Sequence, residues 1–317
     1  VTLRSDIAQS ELGSDSDVTL EVSYSAINYK DALALQGSPG VVRTLPLIPG
    51  IDAVGVVRDS PDPRFRPGER VVVTGFGYGE TRHGGLATAV KVSPDHLVTL
   101  PPNLTDLQAA GYGTAGFTAA LAVRALEALG LSGADVKRPI AVTGAAGAVG
   151  SLAVFFLARH GFPVTAITGR TDEASYLTHL GASEVLSRQE VLSWPDRPLL
   201  AERFSGVIDQ AGGPLLATLL ASVEAGGVVA ACGLAGGSDL PTTVMPFILR
   251  GVTLTGVNSV YQPLQVRNEL WRECSELESA LPWESLTQTI PLGNALDTAN
   301  RVLAGATRGR VVVDVTL

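Results

Sequence analysis

The sequence predicts an α/β protein in two parts, a doubly wound parallel-sheet domain inserted in a β-rich barrel lobe. Three observations carry this. Residues 1–112 are rich in β-branched residues, glycine and proline, with short apolar runs broken by turns. Over 113–250 strand-like and helix-like runs alternate. Over 251–317 the texture is mixed and closes on an apolar strand, 310–315. A lone terminal strand needs a sheet partner, so 1–112 and 251–317 are expected to join as one lobe, with 113–250 as the insert.

Val18-Thr19-Leu20-Glu21-Val22-Ser23-Tyr24 alternates as a half-buried strand does. Ala53-Val54-Gly55-Val56-Val57 and Arg70-Val71-Val72-Val73-Thr74 read as short buried strands, with turns at Pro61-Asp62-Pro63 and Arg66-Pro67-Gly68-Glu69. Spacing then predicts helix over 115–129, strand over 139–143, helix over 148–160 and strand over 163–168. A helix over 172–180, with Asp172 as its candidate N-cap, stops at Gly181, and a strand over 183–186 follows. Strand 206–209, helix 215–224 and strand 228–231 continue the alternation. The closing part holds a strand over 252–257, helices near 263–277 and 295–303, and the last strand.

Composition narrows the function. Of 317 residues 45% are hydrophobic and 17% charged, too apolar for a disordered chain. Apolar stretches run to about seven residues, as over 152–158, whereas a membrane helix needs about 20. A net charge of −8 disfavours nucleic-acid binding. Two cysteines, Cys232 and Cys274, make neither a disulfide framework nor a multi-cysteine zinc site. With no apolar segment in Val1-Thr2-Leu3-Arg4-Ser5-Asp6, a cytoplasmic location is expected.

Val142-Thr143-Gly144-Ala145-Ala146-Gly147-Ala148-Val149-Gly150 lies between a strand and an apolar helix. Its glycines suit a tight turn and close approach of a pyrophosphate to the helix start. The other reading is a glycine-rich packing turn. Where an NAD enzyme has an acidic residue at the end of the next strand, this chain has Thr168-Gly169-Arg170. A guanidinium grips a 2′-phosphate with charged hydrogen bonds, so NADPH is the expected cofactor, with Arg188 as a second cation. Solvated surface arginines are the alternative.

The whole chain resembles the medium-chain dehydrogenase/reductase superfamily. The residues that carry the resemblance are Asn28-Tyr29-Lys30-Asp31, Pro49-Gly50-Ile51-Asp52, the glycine turn, Thr168-Gly169-Arg170, and the runs Ala230-Ala231-Cys232-Gly233-Leu234-Ala235-Gly236-Gly237 and Leu240-Pro241-Thr242-Thr243-Val244-Met245-Pro246-Phe247-Ile248-Leu249-Arg250. They look like the zinc-independent branch of NADPH-dependent acrylyl-CoA reductases and quinone oxidoreductases. The resemblance implies a Rossmann domain inserted in a GroES-like lobe. It implies cofactor contacts at Tyr29, Ala146, Gly147, Ala148, Val149, Thr168, Gly169, Arg170, Arg188, Leu234, Ile248 and Ser259. Thr168 keeps the hydroxyl of the family's frequent serine, and Asn258 replaces a frequent aspartate.

Zinc-dependent members carry Gly-His-Glu where this chain has Gly50-Ile51-Asp52. His83, His96, His160 and His179 are scattered, so no metal site is expected. The implied reaction is reduction of an activated carbon–carbon double bond, acrylyl-CoA to propionyl-CoA. Asn28, Tyr29 and Asp31 are the candidate catalytic residues; a helix start is the alternative role, for Asp31 above all. CoA phosphates call for a cationic mouth, for which Arg310 is the candidate. Quinone reduction and a non-catalytic NADPH-binding protein are the rival functions. The expected partners are a small-molecule substrate and a second copy of the chain.

Overall fold

The computed structural model describes residues 1–317, the side chain of Gln9 excepted. In chain order the elements are β1 (Val18–Ala26), α1 (Tyr29–Leu35), β2 (Asp52–Asp59), β3 (Arg70–Thr74), β4 (Ala89–Val92), β5 (Val98–Thr99), α2 (Asp106–Ala128), β6 (Ile140–Thr143), α3 (Ala148–Arg159), β7 (Val164–Thr168), α4 (Ala174–His179), β8 (Glu184–Ser187) and α5 (Arg188–Leu192). Then come β9 (Phe204–Asp209), α6 (Gly213–Ser222), β10 (Val223–Ala231), α7 (Met245–Arg250), β11 (Thr253–Gly256), α8 (Leu264–Glu276), α9 (Trp283–Leu286), β12 (Thr287–Pro291), α10 (Ala295–Leu303) and β13 (Arg310–Asp314).

Two compact units result, Val1–Phe117 with Ser259–Leu317, and Thr118–Asn258. The sequence reading puts the divisions at 112/113 and 250/251. No linker marks either crossing, and α2 runs through the first.

The first unit is built on a seven-stranded sheet, ordered β12-β13-β1-β2-β3-β5, with β4 also on β1. Val18, Leu20 and Val22 of β1, Val71 and Val73 of β3, and Val311 and Val313 of β13 turn one face into a shared core. Alternation of period two does this, because successive strand side chains point to opposite faces. β13 lies between β1, antiparallel, and β12, parallel. The helix expected over 115–129 begins earlier, at Asp106, and is broken at Gly113, whose φ of 44° is left-handed.

The second unit holds a parallel six-stranded sheet, ordered β8-β7-β6-β9-β10-β11. Strand order reverses between β6 and β9. Leu215, Leu216, Leu219 and Leu220 of α6 pack on Ala141, Val207 and Val229. Full burial of each leucine stabilises by roughly 1.5–3 kcal/mol. Asp172 does not cap the helix there. It lies within a 3-10 turn, Thr171–Glu173, that delivers the chain to α4. Among the described residues no helix is long and apolar enough to cross a membrane.

Candidate functional site

In the second unit the carboxyl ends of β6, β7, β8 and β9 carry the glycine turn, Arg170, Arg188 and Gln210 in turn. Gly144 takes a φ of 57°, and a Cβ on Gly150 would sit 2.4 Å from the Gly144 carbonyl oxygen. The turn therefore closes only with glycine at both places. It delivers the chain to the start of α3, with Gly147 as N-cap. The first amide groups of a helix have no intrahelical partner and point at any anion placed there.

Arg170 leaves the end of β7 and folds back over this turn, its Nη2 donating to the Ala146 carbonyl at 3.0 Å. The buried Thr168 hydroxyl accepts from Arg170 N at 3.0 Å, which sets the bend. Arg188 begins α5, and a Cβ on Gly169 would lie 3.1 Å from its Nη2. The Arg188 guanidinium thus lies beside Gly169, while that of Arg170 lies over the Ala146 carbonyl, 3.9 Å from Glu173. Arg188 is exposed and has no side-chain partner among the described residues. Leu234 and Ile248 are also exposed, at 62% and 70%.

A buried bridge fixes the β6 and β9 ends. Thr143 Oγ1 donates to Asp209 Oδ1 at 2.8 Å and accepts from Gln210 N at 2.9 Å, and Gly212 N donates to Asp209 Oδ2 at 2.7 Å. Burial raises the Asp209 carboxyl above its ordinary range. Cys232 packs beside it, Sγ on the Asp209 carbonyl at 3.3 Å, its thiol pushed up to about 12 by burial.

In the first unit the candidate catalytic residues fall around a closed polar cluster. Asp52 opens β2 and Arg310 opens β13, both fully buried, with Nη2 3.1 Å from Oδ2. Arg310 also donates to Asn28 Oδ1 at 2.8 Å and to the Gly111 and Ala110 carbonyls. Asp52 Oδ1 accepts from the Thr114 amide at 2.9 Å and from its hydroxyl. Gly113 makes room, since a Cβ there would lie 2.5 Å from Asp52 Oδ2. Asn28 Nδ2 donates to Asp31 Oδ2 at 2.9 Å and to Asp52 Oδ2 at 3.0 Å. Asp31 accepts further from Asn28 N at 3.0 Å and Ile51 N at 2.8 Å, and is 1% exposed. Burial first, and Asp52 second, push its carboxyl up to about 7.

Three consequences follow. Both amide hydrogens of Asn28 are engaged, so it has no donor to offer a ligand. Tyr29, first in α1, is 42% exposed, and its hydroxyl has no partner among the described residues. Arg310 cannot form a cationic mouth, because it is enclosed and paired. Ser259 is held through its carbonyl by Arg267 Nη2 at 2.8 Å. The Arg267 guanidinium is sandwiched between Phe76 and Phe117, at 4.2 and 4.7 Å.

Sequence reasoning missed the Asp52–Arg310 pair, Thr114, Arg267 and Gln210. A signal existed for Asp52 and Arg310: each is a charge at the head of an apolar strand, where burial demands a partner.

The alcohol dehydrogenase GroES-like domain family matches residues 14–102, and the zinc-binding dehydrogenase family matches 148–276. An acrylyl-CoA reductase of Ruegeria pomeroyi, AcuI, is 45% identical over 94% of this chain and 90% of its own. The chain belongs to the medium-chain dehydrogenase/reductase superfamily. Another member, the Bacillus subtilis protein YhfP, carries the name of a quinone oxidoreductase and is 45% identical over 93% of this chain and 89% of its own. Escherichia coli YhdH, a member solved with bound NADPH, superposes with a TM-score of 0.92 at 45% identity, over 98% of this chain and 95% of that one.

Zinc, which one of the matching descriptions names, does not fit the donors of this superfamily member. Among the described residues no group of three or more His, Cys, Asp or Glu is placed to hold a metal. His83 Nδ1 accepts from Ile48 N at 3.0 Å, His96 stacks on Phe76, His160 bonds Glu127, and His179 ends α4. A dinucleotide fits: the amide groups at the start of α3 and the two arginines offer donors and positive charge.

Proposed function

We propose that the protein is an NADPH-dependent reductase of the activated double bond of a short enoyl-CoA, converting acrylyl-CoA to propionyl-CoA without zinc. The observation that carries this reading is the near full-length identity to the Ruegeria pomeroyi acrylyl-CoA reductase. Arg170 at the end of β7 and Arg188 beside Gly169 support NADPH over NADH, since only NADPH has a 2′-phosphate to accept their hydrogen bonds.

In this reading the amides at Gly147, Ala148 and Val149 hold the pyrophosphate, Arg170 and Arg188 the 2′-phosphate, and Tyr29, Leu234, Ile248 and Ser259 complete the cofactor contacts. When bound, NADPH supplies the hydride. Charge then develops on the thioester oxygen and needs an oriented donor. The Tyr29 hydroxyl is that donor, and a proton from water then reaches the α-carbon to complete propionyl-CoA. Asn28 and Asp31 are positioning residues that fix the start of α1, and with it Tyr29. The reducing cytoplasm suits two cysteines that form no disulfide, and a homodimer is the expected assembly.

Quinone reduction is the second reading, favoured by the identity to YhfP. Steady-state NADPH oxidation separates the two. The expected result is a higher kcat/KM for acrylyl-CoA than for any quinone tested, unchanged by prior chelation. Quinones turning over with far higher kcat/KM would overturn the first reading, and activity lost on chelation and restored by zinc would overturn the metal-free part.

A further inference from the structure

We propose that Glu173 is a specificity-determining residue, whose carboxylate competes with the 2′-phosphate of NADPH for Arg170 and so narrows the preference for NADPH over NADH. This rests on the reading that Arg170 grips that phosphate.

Arg170 lies two residues past the end of β7 and leads into the 3-10 turn Thr171–Glu173. The turn folds its last residue back, with Glu173 N donating to the Arg170 carbonyl at 3.2 Å. Glu173 Oε1 then stands 3.9 Å from Arg170 Nη1. The other terminal nitrogen, Nη2, donates to the Ala146 carbonyl, and Thr168 Oγ1 sets the bend at Arg170 N. Those two contacts direct the guanidinium over the glycine turn without help from Glu173. An ion pair at 3.9 Å adds little to that hold. What Glu173 adds is charge. Its side chain is 17% exposed, so water screens it only in part. The neighbouring Asp172 is exposed.

In NAD enzymes an acidic residue at the end of this strand serves the ribose hydroxyls. This chain places a cation there and, three residues later, a carboxylate beside the same guanidinium. A 2′-phosphate that reaches Arg170 must displace Glu173 or lie beside its like charge. NADH has no phosphate at that place and meets neither obstacle. The penalty therefore falls on NADPH alone, and the chain discriminates against NADH by less than its arginines would allow.

The test is a fluorescence titration of the purified full chain with NADPH and, separately, NADH, at one low ionic strength. Glu173→Gln keeps the length and removes the charge. It is expected to lower the dissociation constant for NADPH about 3- to 10-fold, somewhat more than an exposed ion pair is worth, and to change that for NADH by less than about twofold. Glu173→Ala is expected to act in the same direction. Asp172→Asn, at the exposed neighbour, is expected to have a smaller effect than Glu173→Gln. In an Arg170→Ala background the gain from Glu173→Gln is expected to shrink to within about twofold, because the contested group is gone. Weaker NADPH binding in either Glu173 variant would overturn the proposal, by making Glu173 a support for Arg170. Unchanged NADPH affinity in both variants would overturn it while leaving NADPH binding intact. So would an equal gain for NADH, an equal gain from Asp172→Asn, or a full gain without Arg170. Failure of the wild type to bind NADPH would overturn this proposal together with the reading on which it rests.

Discussion

The buried cluster of the first unit and the strand-end crevice of the second use the same chemical groups in opposite states. Around Asp52, a guanidinium, two carboxylates and a carboxamide satisfy one another: Arg310 makes four hydrogen bonds and Asn28 has no hydrogen left to give. Around the glycine turn, the exposed Arg188 has no side-chain partner among the described residues, and Arg170 holds the Ala146 carbonyl and stands 3.9 Å from Glu173. A closed network specifies a shape. An open one awaits an acceptor. The difference separates groups that position from groups that bind, even where the residue types are identical.

Breaking the closed network should have the largest effect, and on folding. Arg310→Met leaves Asp52 buried without its cation, which costs about 3–5 kcal/mol. Chemical denaturation should show the loss, with no cofactor present. A stability within 1 kcal/mol of wild type, roughly the worth of an exposed pair, would mean that the Asn28 and Thr114 hydrogen bonds alone sustain Asp52.

Breaking the open set should act on binding instead. Arg170→Ala should leave denaturation unchanged and raise KM for NADPH about 10- to 150-fold, the worth of a charged hydrogen bond. KM for NADH should stay within about twofold. The comparison belongs at fixed ionic strength, since salt screens a partly exposed guanidinium. An unchanged cofactor preference would pass the reading of the phosphate to Arg188.

The two regions were also unequally legible in the sequence. The crevice announces itself locally: Gly144 to Gly150 and Thr168-Gly169-Arg170 are short strings whose strand–turn–helix setting is readable from spacing. The cluster is assembled from Asn28, Asp52, Thr114 and Arg310, which lie far apart in sequence and meet only once β13 pairs with β1. So Asp52 was legible as a departure from a zinc motif, its partner was not, and Arg310 read as a surface cation. Gln210 escaped for a third reason, that only the sheet order places it against Gly144. The long strands and helices were legible from periodicity. β4, β5 and β12 were not: β5 is two residues long, and Lys91 in β4 and Gln288 and Pro291 in β12 interrupt the apolar pattern that marks β6 and β13.

A third effect concerns how charge is shared inside the closed cluster. Asp31 accepts three hydrogen bonds, from Asn28 N, Asn28 Nδ2 and Ile51 N, which favour its ionised form. Burial and the neighbouring Asp52 oppose this and prevail, pushing its carboxyl up to about 7. An unfolded aspartate titrates near about 4. Between these values folding takes up a proton, so stability falls as pH rises. The contribution is whole below about pH 4 and gone above about pH 7, with a slope of at most about 1.4 kcal/mol per pH unit. Asp31→Asn keeps an oxygen for the Asn28 amide and cannot ionise. Wild-type stability relative to this variant should therefore decline from pH 5 to pH 7.5 in parallel denaturation series. Parallel profiles over that range would mean that the three hydrogen bonds, with Arg310 behind them, hold Asp31 ionised against burial.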